Sequence, residues 1–221
     1  EKDRGQKFIF YMPTFRAADA AVNTTNSSAN LFGFEDFNIE EASVQELDSN
    51  YETTGTAKSF GCVSTLSIEP ELQQVVKNCG IKQLKSVTKT AYLNVSIAGH
   101  INRSVAEALF GLTSEGLVTG VKAFNVNSTS KPMCFTAKVY NMDRSEVKYI
   151  ALPIIQNISG FVKNIDNGAT EVAYVELEFN ALFDKNNNAY YEALESELTD
   201  ETVKSKWMTE FTPDLVKVTS I

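Results

Sequence analysis

Within Glu171–Phe183, hydrophobic and polar residues alternate strictly from Ala173 on. Ala173, Val175, Leu177, Phe179, Ala181 and Phe183 fall on one side, and Tyr174, Glu176, Glu178 and Asn180 on the other. That period of two predicts a long half-buried strand with one dry face and one wet, acidic face. Val87–Ile101 repeats the pattern: Val87, Ala91, Leu93, Val95 and Ile97 oppose Thr88, Thr90, Tyr92, Asn94 and Ser96. Shorter runs predict further strands at Phe32–Ile39, Cys62–Ile68, Leu117–Val126, Pro132–Tyr140, Glu146–Ile155 and Ile158–Ile165. Polar turns at Asn127–Lys131, Asn141–Ser145, Asp166–Gly168 and Asp184–Asn188 separate the later ones.

Helical signals are fewer. Pro70–Cys79 places Leu72, Val75, Val76 and Cys79 on one helical face, with Pro70 at the first turn and Gly80 beyond the end. Arg103–Phe110 has capping-box spacing at Ser104 and Glu107, with Asn102 as a rival cap and Gly111 closing it. A third helix is predicted at Asp200–Met208, acidic at its start and basic at its end. Ala20–Asn30 and Glu40–Ser59 are polar and lack a sustained period, so both are predicted as loops, the second a long one of the functional or mobile kind. Cys62–Gly80 and Leu93–Gly111 share a strand, short helix and closing glycine, a weak internal echo. Trp207, Phe211, Leu215, Val216 and Val218 make the C-terminal tail too apolar to lie free, so it must pack on its own domain or on a neighbour. The expectation is a mainly β (α+β) fold: a β-sandwich or half-barrel of antiparallel strands with one or two short flanking helices. Its division is a β domain over 1–189, with an N-terminal arm at 1–30, and a C-terminal arm at 190–221.

Composition narrows function mostly by exclusion. A length of 221 residues suffices for a core without staples. The net charge of −8 argues against a general nucleic-acid binder, which carries a basic face. Three widely spaced cysteines, Cys62, Cys79 and Cys134, suit neither a disulfide framework nor a zinc site and read as buried free thiols. No apolar run is long enough to span a membrane, and the first residues lack the basic start and apolar core of a signal peptide. Six N-glycosylation sequons, at Asn23, Asn26, Asn94, Asn102, Asn127 and Asn157, are attributed to the Asn, Ser and Thr content rather than to glycans.

Catalytic chemistry has little to stand on. There is no phosphate-cradling glycine loop and no nucleophile elbow. The single histidine, His100, reads as a surface or capping residue, and any catalytic triad would have to use it. The early carboxylates (Glu35 to Glu52) and late ones (Glu192 to Glu201) read as solvated, and Asp184–Asn188 as a turn rather than a calcium loop. The aromatic run Phe8–Phe15 between Lys7 and Arg16 reads as an arm or as core packing before a stacking site. No enzyme activity, metal or cofactor is expected.

Leu93–Phe124 (LNVSIAGHINRSVAEALFGLTSEGLVTGVKAF), the strands to Ile155, and Gly160–Glu192 (GFVKNIDNGATEVAYVELEFNALFDKNNNAYYE) resemble the major tail tube protein of long-tailed bacteriophages. The resemblance covers roughly Gly61–Glu192 and lies in the order and spacing of elements. It implies a β-sandwich or half-barrel that closes, six subunits at a time, into a ring with a continuous inner β-barrel. Rings then stack into a hollow tube for genome DNA, as in the similar type VI secretion inner tubes. It further implies partners: other copies of the chain, with sheath, tape-measure and terminator proteins beside them. DNA passes through without specific binding, there is no membrane insertion, and the protein resides in the virion tail after assembly in the host cytoplasm. The long C-terminal tail departs from the family.

The resemblance implies that Glu40–Ser59 joins successive rings, with Glu40, Glu41, Glu46, Asp48, Tyr51 and Glu52 as contact residues, and that the two termini act as arms. Joined to the alternation, it places Glu176, Glu178, Thr88, Thr90, Asn94 and Ser96 on the lumen wall, where acidic groups would repel phosphate and let DNA slide. Competing readings are another virion β-sandwich protein, such as a tail terminator or capsid decoration, a secreted adhesion module, and a hydrolase using paired carboxylates.

Overall fold

The computed structural model describes residues 34–79, 81–165, 168 and 174–218. Strands β1 (Asn38–Leu47), β2 (Thr53–Ser59), β3 (Gly61–Cys79) and β4 (Lys82–Ile101) come first, then helix α1 (Arg103–Leu109). Strands β5 (Met133–Tyr140), β6 (Val147–Asn157), β7 (Val175–Ala181) and β8 (Tyr191–Leu194) follow, then helix α2 (Glu201–Lys206). All pairings are antiparallel, in the order β2-β1-β5-β6-β7-β4-β3, with β8 also on β6. The fold is mainly β.

The sheet bends so that its two halves face each other. Ala42 and Val44 of β1, Phe135 and Ala137 of β5, and Leu152 of β6 share one buried core with Val95 and Ile97 of β4 and Leu177 and Phe179 of β7. Val105 and Leu109 of α1 plug the same core. Phe60, fully buried between β2 and β3, holds the halves in place. Its amide donates to the Ala42 carbonyl (2.8 Å), its carbonyl accepts from the Asn102 amide (2.9 Å), and its ring meets Phe135 edge-on at 5.7 Å.

A second core lies on the outer face of β5 and β6. Cys134, Val147, Tyr149, Ala151 and Ile154 are covered there by Val203, Trp207 and Phe211 of the C-terminal segment. Trp207 Nε1 donates to the Ile150 carbonyl at 3.2 Å, and its ring packs at a tilt against both Tyr149 and Phe211. Of the two options open in sequence, the tail packs on its own domain: β8 extends the sheet and α2 roofs it. Pro153 sits where the β5–β6 register shifts, a position that tolerates a missing N–H.

Several expectations are corrected. Glu40–Ser59 is no loop: β1 and β2 pair as a hairpin with its tip at Asp48–Glu52. Pro70–Cys79 is no helix but the outer half of β3, which also removes the internal echo. Its helical spacing is equally compatible with a strand, and the long alternating partner β4 decides the matter; Pro70 is tolerated because β3 is an edge. Leu117–Val126 forms turns with one isolated bridge, Thr113 to Ala123, because Gly116 and Gly120 adopt positive φ. Ile158–Ile165 is irregular, and β7 begins only at Val175. The N-terminal arm, the first part of the long alternating run (171–173) and most of the Asp166–Gly168 turn lie outside the described residues.

Helix α1 forms where expected. Asn102 takes the N-cap position, but its side chain donates to the Ser59 carbonyl (2.9 Å) rather than capping. The Leu112 amide returns to the Glu107 carbonyl at 2.8 Å, and Gly111 between them has φ +63°, a Schellman-type close that requires glycine. A Cβ on Gly111 would stand 2.3 Å from the Thr129 carbonyl oxygen.

Candidate assembly surface

Three strands make the polar wall. Across β3, β4 and β7 the register places Ser67, Ser96 and Glu178 in one row, and Glu69, Asn94 and Asn180 in the next. Residues directly opposite in antiparallel strands share a face, so Glu176, Glu178, Asn94 and Ser96 stand together, as the alternation predicts. Glu69 and Glu71 of β3 join them, and Asn94 Nδ2 donates to Glu71 Oε2 at 3.0 Å. The four glutamates are exposed, and no Lys or Arg interrupts the wall between Glu71 and Glu176. The Asn94–Asn180 row continues to Gln156 of β6, which donates to the Tyr51 hydroxyl at 3.3 Å and so ties the wall to the β1–β2 tip.

Thr88 and Thr90 do not belong to this wall. Glu71 pairs with Tyr92 but Leu72 pairs with Thr90, leaving Ala91 as an extra residue on β4. A one-residue slip exchanges the two faces. Beyond it, Thr88 and Thr90 lie with Gln74 and Leu72 on the side continuous with the core, and Val75 and Val87 move to the side continuous with the wall. The hydrogen bond from Gln74 Nε2 to Ser86 Oγ (2.7 Å) fits this arrangement. Sequence alternation cannot reveal a bulge that leaves both faces polar or apolar alike.

Beyond Tyr92, β3 and β4 continue as a two-stranded ribbon with no third strand among the described residues, since β7 pairs with Leu93–Gly99. Leu72 and Val75 are each 58% exposed, Ile81 lies fully in solvent, and Val76 and Val87 are exposed on opposite sides. The outer edge of β3 has no strand partner among the described residues. Between Leu72 and Thr90 the sequence carries Lys77, Lys82, Lys85 and Lys89 and no acid. An isolated two-stranded ribbon is marginal in water, and a long free edge is a template for pairing.

The predicted inter-ring residues lie on the β1–β2 hairpin. Glu40 pairs with Arg144, and Glu46 holds both Lys131 and Lys58, which keep its carboxyl below the usual range. Asp48 organises the tip: its Oδ1 accepts from the Asn50 and Glu52 amides at 2.8 and 3.0 Å. Tyr51 takes φ +62°, a left-handed conformation that a bulky residue adopts at a cost. Glu41 and Glu52 are exposed. The surface features not legible in sequence are the left-handed backbone of Tyr51, which has no sequence signal, and the run of ribbon lysines, of which the helical spacing of Pro70–Cys79 covers Lys77.

Other candidate chemistry is dispersed. His100 is exposed at the end of β4, opposite Cys62. Cys134 is buried as expected, its thiol pushed up to about 12 by burial, whereas Cys62 is exposed, which corrects the expectation there; the Cys79 side chain lies outside the described residues. Among the described residues no group of three or more His, Cys, Asp or Glu gathers as metal ligands. Asp184 is a turn organiser: its Oδ1 accepts from the Asn186 and Asn188 amides and its Oδ2 from the Tyr191 hydroxyl. No helix among the described residues is long and apolar enough to cross a membrane. Neither the models of known protein families nor the curated proteins contain a match to this chain.

Proposed function

We propose that the chain is a non-enzymatic structural subunit that assembles with copies of itself into stacked rings, forming a phage-type tail tube through which DNA passes. The observation that carries this is the β3–β4 ribbon, with an edge that has no strand partner among the described residues, apolar residues on both faces and a basic outer half, attached to a sheet whose wet face is acidic. Edge strands close into a barrel when each copy supplies the partner for the next. The face bearing Glu176, Glu178, Asn94 and Ser96 then lines the lumen, with Glu69 and Glu71 beside them. The ribbon, with Lys77, Lys82, Lys85 and Lys89, reaches the next ring and runs along the acidic β1–β2 hairpin, where Glu41 and Glu52 are exposed.

The test is negative-stain electron microscopy with light scattering on the full chain and on a variant whose residues 73–88 are replaced by an Asn-Gly turn. The parent should give hollow tubes or stacked rings, and the shortened chain none, with its far-UV circular dichroism otherwise preserved. A parent that stays monomeric at millimolar concentration, or a shortened chain that assembles as the parent does, overturns the proposal.

A further inference from the structure

A cleft of about 410 Å³ opens between the β1–β2 tip, the Asp184 turn and the segment Phe211–Asp214. Its floor is apolar, formed by Leu47, Ile154, Phe183 and Phe211 among others. Phe183 at 39% and Tyr51 at 43% exposure line it with nothing over them among the described residues. Exposed Glu52 brings a negative charge to the cleft; Asp184 and Asp214 also line it but are already engaged, Asp184 by its turn amides and the Tyr191 hydroxyl and Asp214 by Lys185 and Lys217.

The two turns at its sides share one design. In Asp48–Glu52 and in Asp184–Asn188 the aspartate Oδ1 accepts from the second and fourth following amides, and the third following residue takes positive φ. In the second turn that residue is Asn187, a type suited to the left-handed region; in the first it is Tyr51. The same turn is therefore built with asparagine where only the turn matters and with tyrosine at the cleft. Left-handed strain of about 1–2 kcal/mol at a non-glycine residue persists where another role requires the side chain. An aromatic, half-exposed ring beside an apolar floor is the usual anchor of a recognition surface.

We infer that this cleft receives the chain's own N-terminal segment, with Phe8, Phe10 and Met12 on the apolar floor beside Tyr51. Residues 1–33 lie outside the described residues. Lys7–Arg16 is the apolar stretch there: KFIFYMPTFR, with two cations at its ends and no acid. Its charge complements exposed Glu52 at the rim of the cleft, and its aromatic side chains match the floor. The tether is long enough. Phe34, the first described residue, sits with its ring 4.4 Å from Lys148 Nζ on β6. The cleft begins at Pro153 on the same strand, about 17 Å further at a strand's rise of about 3.3 Å per residue. The 21 residues from Pro13 to Gly33 can span up to ~70 Å. Docking within one chain also acts at an effective concentration that a second copy reaches only when crowded.

The test is photo-crosslinking in the full chain with benzoylphenylalanine in place of Phe10. Irradiated at low micromolar concentration, the probe should join residues 50–53, 183–185 or 211–214 of its own chain, with a yield unchanged on tenfold dilution. Tyr51→Ala and, separately, Glu52→Lys should each lower that yield several-fold while leaving the far-UV spectrum unchanged; both positions are exposed, so neither substitution threatens the core. Crosslinks that map elsewhere, products joining two chains with a yield that falls on dilution, or a yield indifferent to both substitutions would overturn the inference. Failure of the chain to form tubes would leave it untouched, because the readout is intramolecular.

Discussion

Truncating Trp207 to alanine tests whether the C-terminal segment is part of the domain or an appended arm. A buried indole removes about 150–250 Å² from water, which at about 25 cal/mol/Å² is ~4–6 kcal/mol of transfer free energy. Trp207 is only 2% exposed, so nearly all of that area counts. Alanine keeps a small part of it and the pocket relaxes partly, which brings the expected loss to about 3–5 kcal/mol, the range for buried aromatic truncations. For a chain of this length each kcal/mol moves the melting temperature by about 2–4 °C, so Trp207→Ala should melt about 6–20 °C below the parent. Trp207→Phe keeps contact with Tyr149 and Phe211 but loses the N–H donated to Ile150, and should cost about 1–2 kcal/mol. Far-UV circular dichroism during heating measures both variants. The parent can be followed independently by the fluorescence of its single tryptophan. If Trp207→Ala melts within about 2 °C of the parent, the segment is not seated on β6 and the second core is wrongly drawn.

Reversing Glu176 and Glu178 to lysine should leave tubes intact by electron microscopy yet slow DNA ejection, since basic lumen residues would hold phosphate; unchanged ejection would remove these residues from the lumen. Gly111→Ala should lose at least about 2 kcal/mol in urea unfolding, because it combines a left-handed φ with a Cβ 2.3 Å from the Thr129 carbonyl; a loss under about 0.5 kcal/mol would mean the helix ends otherwise. Hydrogen bonds from Lys185 first and Lys217 second bring the Asp214 carboxyl down to about 2. A carboxylate depressed on folding adds stability that is present above its unfolded value of 3.8 and lost as pH falls toward 2. NMR titration should therefore find the Asp214 midpoint well below 3.8, rising toward that value in Lys185→Met; a midpoint already near 3.8 in the parent would show the ion pairs do not form.

The sequence made some elements legible and hid others for identifiable reasons. β5, β6, α1 and α2 fall where periodicity and capping residues place them, because each is a single element with one dominant face or a clear stop. The Glu40–Ser59 hairpin was invisible because β1 buries Ala42, Val44, Gln45 and Leu47, a set mixed in polarity that alternation does not flag. Pro70–Cys79 misled because a spacing of three, four and seven fits both a helix face and an exposed ribbon with apolar residues on each side. Of the candidate wall, alternation marks Glu176 and Glu178 on one polar strand face and Asn94 and Ser96 on another, and the β4–β7 register brings the two faces together. Thr88 and Thr90 were misplaced by the single extra residue Ala91, since a bulge changes register without changing composition.

That bulge also separates two kinds of surface on one pair of strands. On the sheet side of Ala91, β3 and β4 have β7 beside them, a packed core beneath and glutamates above. On the far side they have, among the described residues, each other alone, with lysines and exposed aliphatic residues. The first half is stabilised within the chain: Val95 and Ile97 are buried and their cross-strand partners Phe179 and Leu177 complete the core. Among the described residues the second half gains little from burial, because its apolar side chains are exposed and its outer edge has no strand partner. Ordering a residue's backbone costs about 1–2 kcal/mol, and cross-strand pairs return only ~0.2–1 kcal/mol each. The balance across the ribbon is unfavourable until further contacts are added. Under the proposed assembly, Leu72, Val75, Val76 and Val87 would gain that stabilisation on a surface of charge opposite to the ribbon's lysines, and the acidic hairpin of another copy would supply one.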